Sequence, residues 1–250
     1  MAVEREWTRR LAWEGCLNAR DLGGYPTEDG RETRWGAIVR SDSLATLSEA
    51  GRAALVDYGV RSIIDLRLPS EVEEHPNPFA VAGAHGMAYR NISFVDPAAG
   101  PLGDFTSMAD NYARMLGRFR PAVGAVMTAI ARAPEGGVLV HCMGGKDRTG
   151  LISALLLELV GVPRDTIGAD YALTGECLRP LDEEWLETGP GDRAEREAMI
   201  AKYEPTAEVM LDVLDRLEAQ HGGVEAYLSA AGVAAEDLAR LKDRLVDPAS

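Results

Sequence analysis

One ten-residue stretch, HCMGGKDRTG at residues 141–150, constrains this chain more than any other. It follows a Val-rich apolar run at residues 138–140, which predicts a buried strand, and precedes a long apolar run at 151–160, which predicts a buried helix. A loop between such elements lies at the carboxyl end of a strand, where open α/β sheets bind their ligands. The stretch therefore predicts an α/β fold with a ligand site in this loop.

The residue types in the loop suit the binding of a phosphoryl group over a thiolate. Gly144 and Gly145 tolerate unusual dihedrals, so the backbone N–H groups of residues 143–148 can turn inward as a nest for an anion. The same field favours the thiolate of Cys142, which is the nucleophilic form. Arg148, six residues later, offers a planar fork that can bind two phosphoryl oxygens and follow their charge into the transition state.

Other loop residues have supporting roles in this interpretation. Thr149 can donate a hydrogen bond to the sulfur when a phosphocysteine breaks down, and His141 can brace the loop through its ring nitrogens. Lys146 adds to a local positive patch that attracts an anionic substrate. The candidate phosphate-binding residues are Met143, Gly144, Gly145, Lys146 and Thr149.

Cys142-x5-Arg148 is the signature of the cysteine-based phosphatases, and the GKDRTG continuation resembles the bacterial tyrosine phosphatases of the mycobacterial secreted phosphatase B type. Segments similar to those of that family recur in its order along almost the whole chain. They are NARDLGGY (18–25), VRSDSL (39–44), IIDLR (63–67), ADY (169–171) and GGVEAYLSAAG (222–232). Ala19 is a departure, because the family usually has an aromatic residue there. The resemblance implies a protein tyrosine phosphatase-like fold and a group with dual protein and lipid activity.

The expected reaction is hydrolysis of a phosphate monoester through a phosphocysteine, which needs no metal or organic cofactor. Phosphorylated proteins, phosphoinositides and small phosphorylated metabolites all remain open as substrates. A rival from another class is a phosphate-binding pseudoenzyme, whose mark would be a lost Cys142 or Arg148; both are present. A rhodanese-type loop also begins with Cys at a strand end, but the KDRTG continuation favours phosphate.

Two carboxylates are candidates for the general acid. Asp147 lies in the loop beside Arg148, and the resemblance points to it. Asp96 lies on a segment at residues 76–103 that is rich in Pro, Gly and Ala and could cover the site as a lid. Asp147 is favoured, because a loop Asp such as Asp96 often only caps a turn.

Further polar residues are interpreted as supporting structure. Asn18, Arg20 and Asp21 precede paired glycines and form either a buried network or a border of the phosphate site; the buried network is favoured. Asp65, at the end of a strand, is expected to bind neighbouring backbone or Arg67 rather than to act as an acid.

Composition narrows the class of partner. The chain of 250 residues is 46% hydrophobic and 26% charged, as in ordinary globular proteins, and its formal net charge of -14 argues against nucleic acid and anionic membrane as partners. Cys16, Cys142 and Cys177 show neither metal-ligand nor disulfide spacing, which fits a reducing compartment. No targeting segment or membrane-spanning run is visible, so a cytoplasmic location is expected, with secretion by another route left open. The oligomeric state stays open.

The expected architecture is one phosphatase domain over residues 1–250, mainly helical from about residue 163. Its sheet has four or five strands, largely parallel, with helices on both sides. Strands are predicted at 35–39, 61–67, 87–94 and 137–140, and helices at 47–58, 105–119, 121–132, 151–160, 164–178, 205–220, 223–230 and 235–246. Residues 182–186 either extend the helix at 164–178 or start another.

Overall fold

A five-stranded sheet forms the centre of the part of the chain that the computed structural model describes, residues 8–81, 86–100 and 102–247. The spatial order is β1-β2-β5-β3-β4. Only β1 runs antiparallel, against β2, and the other neighbours pair in parallel. The strands are β1 (Arg20–Asp21), β2 (Ile38–Ser41), β3 (Val60–Asp65), β4 (Ala88–Asn91) and β5 (Gly137–His141). The prediction of an α/β fold with a largely parallel sheet is confirmed.

Both faces of the sheet are covered, as the central strand β5 shows. Val138 and Val140 pack into one hydrophobic cluster, and Leu139 between them packs into the other. Successive strand residues point to opposite faces, so an apolar run without alternation is what a strand buried on both faces needs.

The helices are α1 (Glu49–Tyr58), α2 (Pro69–Glu74), α3 (Met108–Arg118), α4 (Arg120–Ala131), α5 (Asp147–Leu159), α6 (Arg164–Thr188), α7 (Arg193–Lys202), α8 (Ala207–His221), α9 (Val224–Ala230) and α10 (Ala235–Leu245). Local sequence sets several of their ends. Ser48 begins α1 by accepting a hydrogen bond from Gly51 N, and Gly59 ends it with φ of 102°, a conformation that suits glycine. Ser107 begins α3 in the same way, by accepting from Asp110 N.

Helix α5 lies at the centre of the larger hydrophobic cluster, with ten of its thirteen residues buried. This burial agrees with an apolar run that has no polar face. Because α5 begins directly after the loop that follows β5, a fully buried strand and a largely buried helix hold the candidate site between them.

The structure corrects several predicted bounds. Residues 35–37 precede β2 instead of forming it, and α6 runs without interruption to Thr188, which extends the first helix through residues 182–186. Helix α7, the short helix α2 and strand β1 were not predicted. The first seven residues, where no targeting segment was found, lie outside the described residues, as do residues 82–85 and 101 of the predicted lid segment. In the described ranges, no helix combines the length and the apolar character needed to cross a membrane.

Candidate active site

The loop between β5 and α5 is held open by hydrogen bonds to its outer side. Four consecutive carbonyl oxygens are bound by groups behind the loop. Cys142 O lies 3.1 Å from His141 Nδ1, Met143 O accepts from Ser43 N at 2.8 Å, Gly144 O from Asn18 Nδ2 at 2.9 Å, and Gly145 O from Arg40 Nη2 at 2.8 Å.

This pattern sets the direction of the loop amides. The C=O and N–H of a trans peptide point in opposite directions, so carbonyls that face outward turn the amides of residues 143–146 toward the inside. The start of α5 adds its unpaired N–H groups and the positive end of the helix dipole. The loop therefore has the geometry of a backbone nest for an anion.

The two loop glycines differ in what the backbone requires of them. Gly145 has φ of 65°, and a Cβ built there would lie 2.5 Å from Ser41 O. Gly144 has no such φ, and its Cβ would meet only Leu178 Cδ1, at 3.8 Å. Of the two glycines that the sequence singled out, only Gly145 has a backbone φ and a contact with Ser41 that require glycine.

Arg148 is oriented by a carboxylate that the sequence did not reveal. Its Nη1 and Nη2 donate to the two oxygens of Glu71, at 2.6 and 2.8 Å, in a bidentate pair. Burial disfavours the guanidinium cation, but the Glu71 bonds and the charge of Cys142 outweigh it and raise the pKa of Arg148. The same pair lowers the pKa of Glu71. Arg148 is thus a permanent cation held in one orientation near the sulfur.

Cys142 follows β5 directly and is 2% exposed. Thr149 is fully buried in the first turn of α5, and its Oγ1 has no hydrogen-bond partner within the described residues. A buried hydroxyl without a partner is uncommon in folded proteins. The Thr149 hydroxyl is therefore available to a group that enters the loop.

Asp147 is the first residue of α5 and its side chain is 42% exposed. Its Oδ1 accepts a hydrogen bond from the hydroxyl of Tyr112, which in turn lies 2.8 Å from the hydroxyl of Tyr171. Lys146 Nζ is 4.0 Å from the same oxygen. The contacts to Oδ1 orient the carboxyl group beside the loop.

Asp96 occupies a different kind of position. It is exposed, it precedes a short 3-10 helix at Pro97–Ala99, and its Oδ1 accepts from Ala98 N at 2.9 Å. This is the capping geometry of a surface turn. The hydrogen bond that the structure gives the Asp96 carboxylate is to its own turn and not to the loop between β5 and α5.

Lys146 extends away from the nest. Its Nζ donates to Tyr203 O at 2.8 Å, so the side chain links the loop to the end of α7. It also lines a cavity of about 730 Å³ between α6, α7 and the start of α8. Lys146 therefore contributes its backbone to the loop between β5 and α5, and its ammonium group faces the neighbouring cavity.

Arg20 and Asn18 lie in a buried polar network that reaches the loop. Arg20 Nε donates to Asp170 Oδ1 at 3.0 Å and Nη2 to Thr174 Oγ1 at 2.9 Å, and Nη1 donates to Asn18 Oδ1. Asn18 binds Gly144 O, as described above. The two roles considered for this segment are therefore combined, because the buried network itself borders the loop.

His141 and Asp65 form a second support beneath Cys142. The two His141 nitrogens lie 3.1 Å from Cys142 O and 3.0 Å from Asn77 Nδ2, and Nε2 is 3.4 Å from Asp65 Oδ2. Asp65 also binds Arg67 N at 3.0 Å and its guanidinium at 2.7 Å. Burial alone would raise the pKa of Asp65, but the His141 and Arg67 bonds hold it well below the usual range. An ionised, fully paired Asp65 is poorly suited to donate a proton.

The other two cysteines are buried as well. Cys16 Sγ donates to Asp42 Oδ1 at 2.6 Å, and burial together with that carboxylate raises the pKa of the thiol far above its ordinary value. Cys177 is buried in α6.

Several residues at the site were missed by sequence reasoning, namely Arg40, Ser43, Glu71, Asn77, Tyr112, Asp170 and Tyr171. Arg40 carried a usable signal, because an Arg inside an apolar strand must find partners in the interior. Glu71 carried none, since it sits in an acidic run that looks like a solvated helix face.

A parallel α/β sheet with an anion nest, a buried cysteine and an oriented arginine at the end of its central strand defines a phosphatase architecture. Comparison with known proteins agrees. A family model described as the tyrosine phosphatase family matches residues 11–247, and this chain belongs to that family. The resemblance noted from the motifs is thereby confirmed, and the chain is a phosphatase.

Individual relatives give the same result. A tyrosine-protein phosphatase of Nostoc commune is 35% identical over 222 residues, which cover 84% of this chain and 74% of that protein. The triple specificity protein phosphatase PtpB of Mycobacterium tuberculosis is 30% identical over 198 residues, 67% of this chain and 70% of that protein. A protein of Cupriavidus necator named as a tyrosine-protein phosphatase is 30% identical, with 87% and 82% covered.

Proposed function

We propose that this phosphatase hydrolyses phosphate monoesters in two steps through a phosphocysteine on Cys142. The observation that carries the proposal is the row of outward carbonyls, which turns the amides of residues 143–146 inward beside Cys142 and Arg148. Such preorganised donors stabilise charge on phosphoryl oxygens without reorganisation during the reaction.

In the first step the thiolate of Cys142 attacks phosphorus, the S–P bond forms and the P–O bond to the leaving alcohol breaks. Arg148, fixed by Glu71, binds two of the phosphoryl oxygens. In the second step water attacks phosphorus and gives a proton to the carboxylate that protonated the leaving alcohol, the S–P bond breaks and inorganic phosphate leaves. Thr149 donates its free hydroxyl to the departing sulfur, which becomes a thiolate again.

We assign the general acid to Asp147. It stands at the start of α5 beside Arg148, and Tyr112 fixes Oδ1 so that Oδ2 can present a proton to the leaving oxygen. Asp96 is the alternative, but its carboxylate already caps its own turn.

The proposed substrates are phosphorylated proteins, with phosphotyrosine first and phosphoserine second, or phosphoinositides. Support comes from the family and from the relative whose name describes triple specificity. A small phosphorylated metabolite is the alternative. A panel of phosphopeptides, phosphoinositides and sugar or nucleotide monophosphates, compared by kcat/KM, separates these classes. If the metabolites exceed both other classes, the proposed substrate class is wrong.

The mechanism is tested with Cys142→Ser. We expect turnover to fall to background while vanadate and phosphate still bind, because the nest and Arg148 make the binding contacts. Cys177→Ser is the matched control, since Cys177 is buried in α6, and it should keep its turnover. Hydrolysis above background by the Cys142 variant would exclude the phosphocysteine.

The acid assignment is tested with leaving groups. Loss of a general acid slows alkyl phosphates strongly and activated aryl phosphates little, because a good leaving group departs without a proton. We expect this selective loss, about 100-fold or more for alkyl phosphates, in Asp147→Asn and only mild, unselective changes in Asp96→Asn. The opposite pattern in the two variants would reverse the assignment.

A further inference from the structure

Behind the phosphate loop lies a buried pair of arginines that share one carboxylate. Asp170 on α6 accepts from Arg20 Nε at 3.0 Å through Oδ1 and from Arg40 Nη1 at 2.6 Å through Oδ2. Tyr25 adds a neutral hydrogen bond to Oδ1 at 2.9 Å. Arg20, Arg40 and Asp170 are all 2% exposed or less. One carboxylate therefore serves two buried guanidinium groups.

Arg40 also touches the loop itself. It lies in β2, next to β5, and its Nη2 donates to Gly145 O at 2.8 Å. Gly145 is the loop residue whose dihedral angle and close approach to Ser41 leave no room for a side chain. The guanidinium thus binds the carbonyl of the most constrained peptide in the nest.

The environment of Arg40 leaves its charge incompletely paired. The charged and titratable groups that act on it are Arg20, Asp170 and Tyr171, and its buried Nε has no partner among the described residues. Burial and the neighbouring Arg20 lower its pKa from the ordinary value, while Asp170 opposes them. Arginine remains charged under such conditions because its ordinary pKa is so high.

We propose that Arg40 is a positioning residue for the catalytic loop: it fixes the Gly145 carbonyl outward and keeps a buried positive charge behind the nest that favours the Cys142 thiolate. Asp170 holds Arg40 in this orientation. This inference rests on the proposed phosphocysteine function and extends the loop's electrostatic machinery to an arginine on a neighbouring strand. A buried charge acts over a longer distance than an exposed one, because little solvent screens it.

The test measures the thiolate directly, by the pH dependence of Cys142 alkylation in the intact protein. In Arg40→Met the alkylation midpoint should move to higher pH, and kcat/KM for an aryl phosphate should fall about 10- to 100-fold, the range for loss of one charged hydrogen bond. Tyr25→Phe is the matched control, because it removes a neutral bond to the other oxygen of the same carboxylate, Asp170 Oδ1, and should move neither quantity.

Arg40→Gln is a second variant that tests the same proposal if Arg40→Met does not fold. Its amide can still donate to a carbonyl but has no charge, so its midpoint should also rise, while Arg40→Lys should restore the wild-type midpoint. A folded Met or Gln variant with an unmoved midpoint overturns the proposal, as does an equal rise in Tyr25→Phe. If the wild-type protein hydrolyses no phosphate monoester but the alkylation midpoints of the Arg40 variants shift as expected, the proposed function is refuted. The role of Arg40 beside Cys142 then still stands.

Discussion

At the scale of single residues, the neighbouring Gly144 and Gly145 differ in whether the backbone has room for a side chain. Gly145→Ala should lower kcat on the order of 100-fold, because the new Cβ collides with Ser41 O and the φ of 65° is strained for alanine, so the nest amides shift. Gly144→Ala is the matched control and should keep most of its activity, since its Cβ has room. Steady-state kinetics on an aryl phosphate checks both variants. Equal losses in the two would mean that the loop tolerates no side chain at either position.

Thr149 allows structure and chemistry to be separated. Its buried hydroxyl makes no hydrogen bond within the described residues, so Thr149→Val should not lower the melting temperature. Turnover should nevertheless slow about tenfold, the effect of one lost hydrogen bond to the sulfur as phosphocysteine breaks down. Pre-steady-state kinetics should then show a burst of released alcohol. Thr149→Ser should restore the rate, and a Val variant with full turnover would show that the hydroxyl is idle.

The sequence could single out this loop because its candidate residues lie next to one another in the chain. A Cys, two glycines and an Arg within seven positions form a pattern that the sequence displays by itself, although the nest also needs partners far along the chain. Glu71 could not be predicted in the same way. It is paired with Arg148 across 77 positions, and the choice of Glu71 over its acidic neighbours is made by how α2 packs beside the loop.

At the scale of elements, α6 is notable because it runs through Pro180 without a break. Proline removes one helical N–H and crowds the carbonyl four residues earlier. Pro180 is exposed, so Pro180→Ala should raise the free energy of unfolding by about 1–3 kcal/mol with little change in packing. Denaturant unfolding checks this value. Glu183→Ala, another exposed position of α6, is the control and should change it much less; a destabilised Pro180→Ala would mean that the ring makes a favourable contact.

Prediction of the elements succeeded where burial dominates and failed where it does not. Strand β5 and helix α5 each contain an apolar run with almost no polar interruption, and these runs predict both elements. Helix α7 has five charged residues among its ten and only Arg196 is buried, so it has no buried apolar stripe to detect. Strand β1 has two residues, and both are polar. It exists because β2 offers a free edge and the interior offers partners for Arg20.

At the scale of the whole molecule, Asp170 links stability to pH. Burial alone would raise its pKa, but Arg20 and Arg40 outweigh this effect and hold it well below the usual value. The carboxylate therefore contributes fully above about pH 4, its ordinary value, and its contribution is lost as pH falls through the depressed folded pKa. Asp170→Asn should cost about 3–5 kcal/mol at neutral pH, because it leaves two buried cations unpaired.

The measurement is denaturant unfolding of wild type and Asp170→Asn at neutral pH and at several values below about 4. The stability gap between them should narrow as the solution becomes more acidic. Asp243→Asn, which removes an exposed carboxylate of α10, is the control and should leave a small gap at neutral pH. A gap for Asp170→Asn that is independent of pH would mean that the carboxyl is already protonated in the fold.

The hydrogen bonds that shape the catalytic loop also decide when it can form during folding. Asn18 is 126 positions from Gly144, Arg40 is 105 from Gly145, and Arg20 is 150 from Asp170. Contacts between such distant parts of a chain close long loops, which costs conformational entropy before the contacts can stabilise the fold. They therefore form late. The ten-residue motif is consequently not a portable unit. Excised as a peptide or grafted without these distant partners, it would keep its candidate catalytic side chains but lose the groups that bind the carbonyls of residues 143–145.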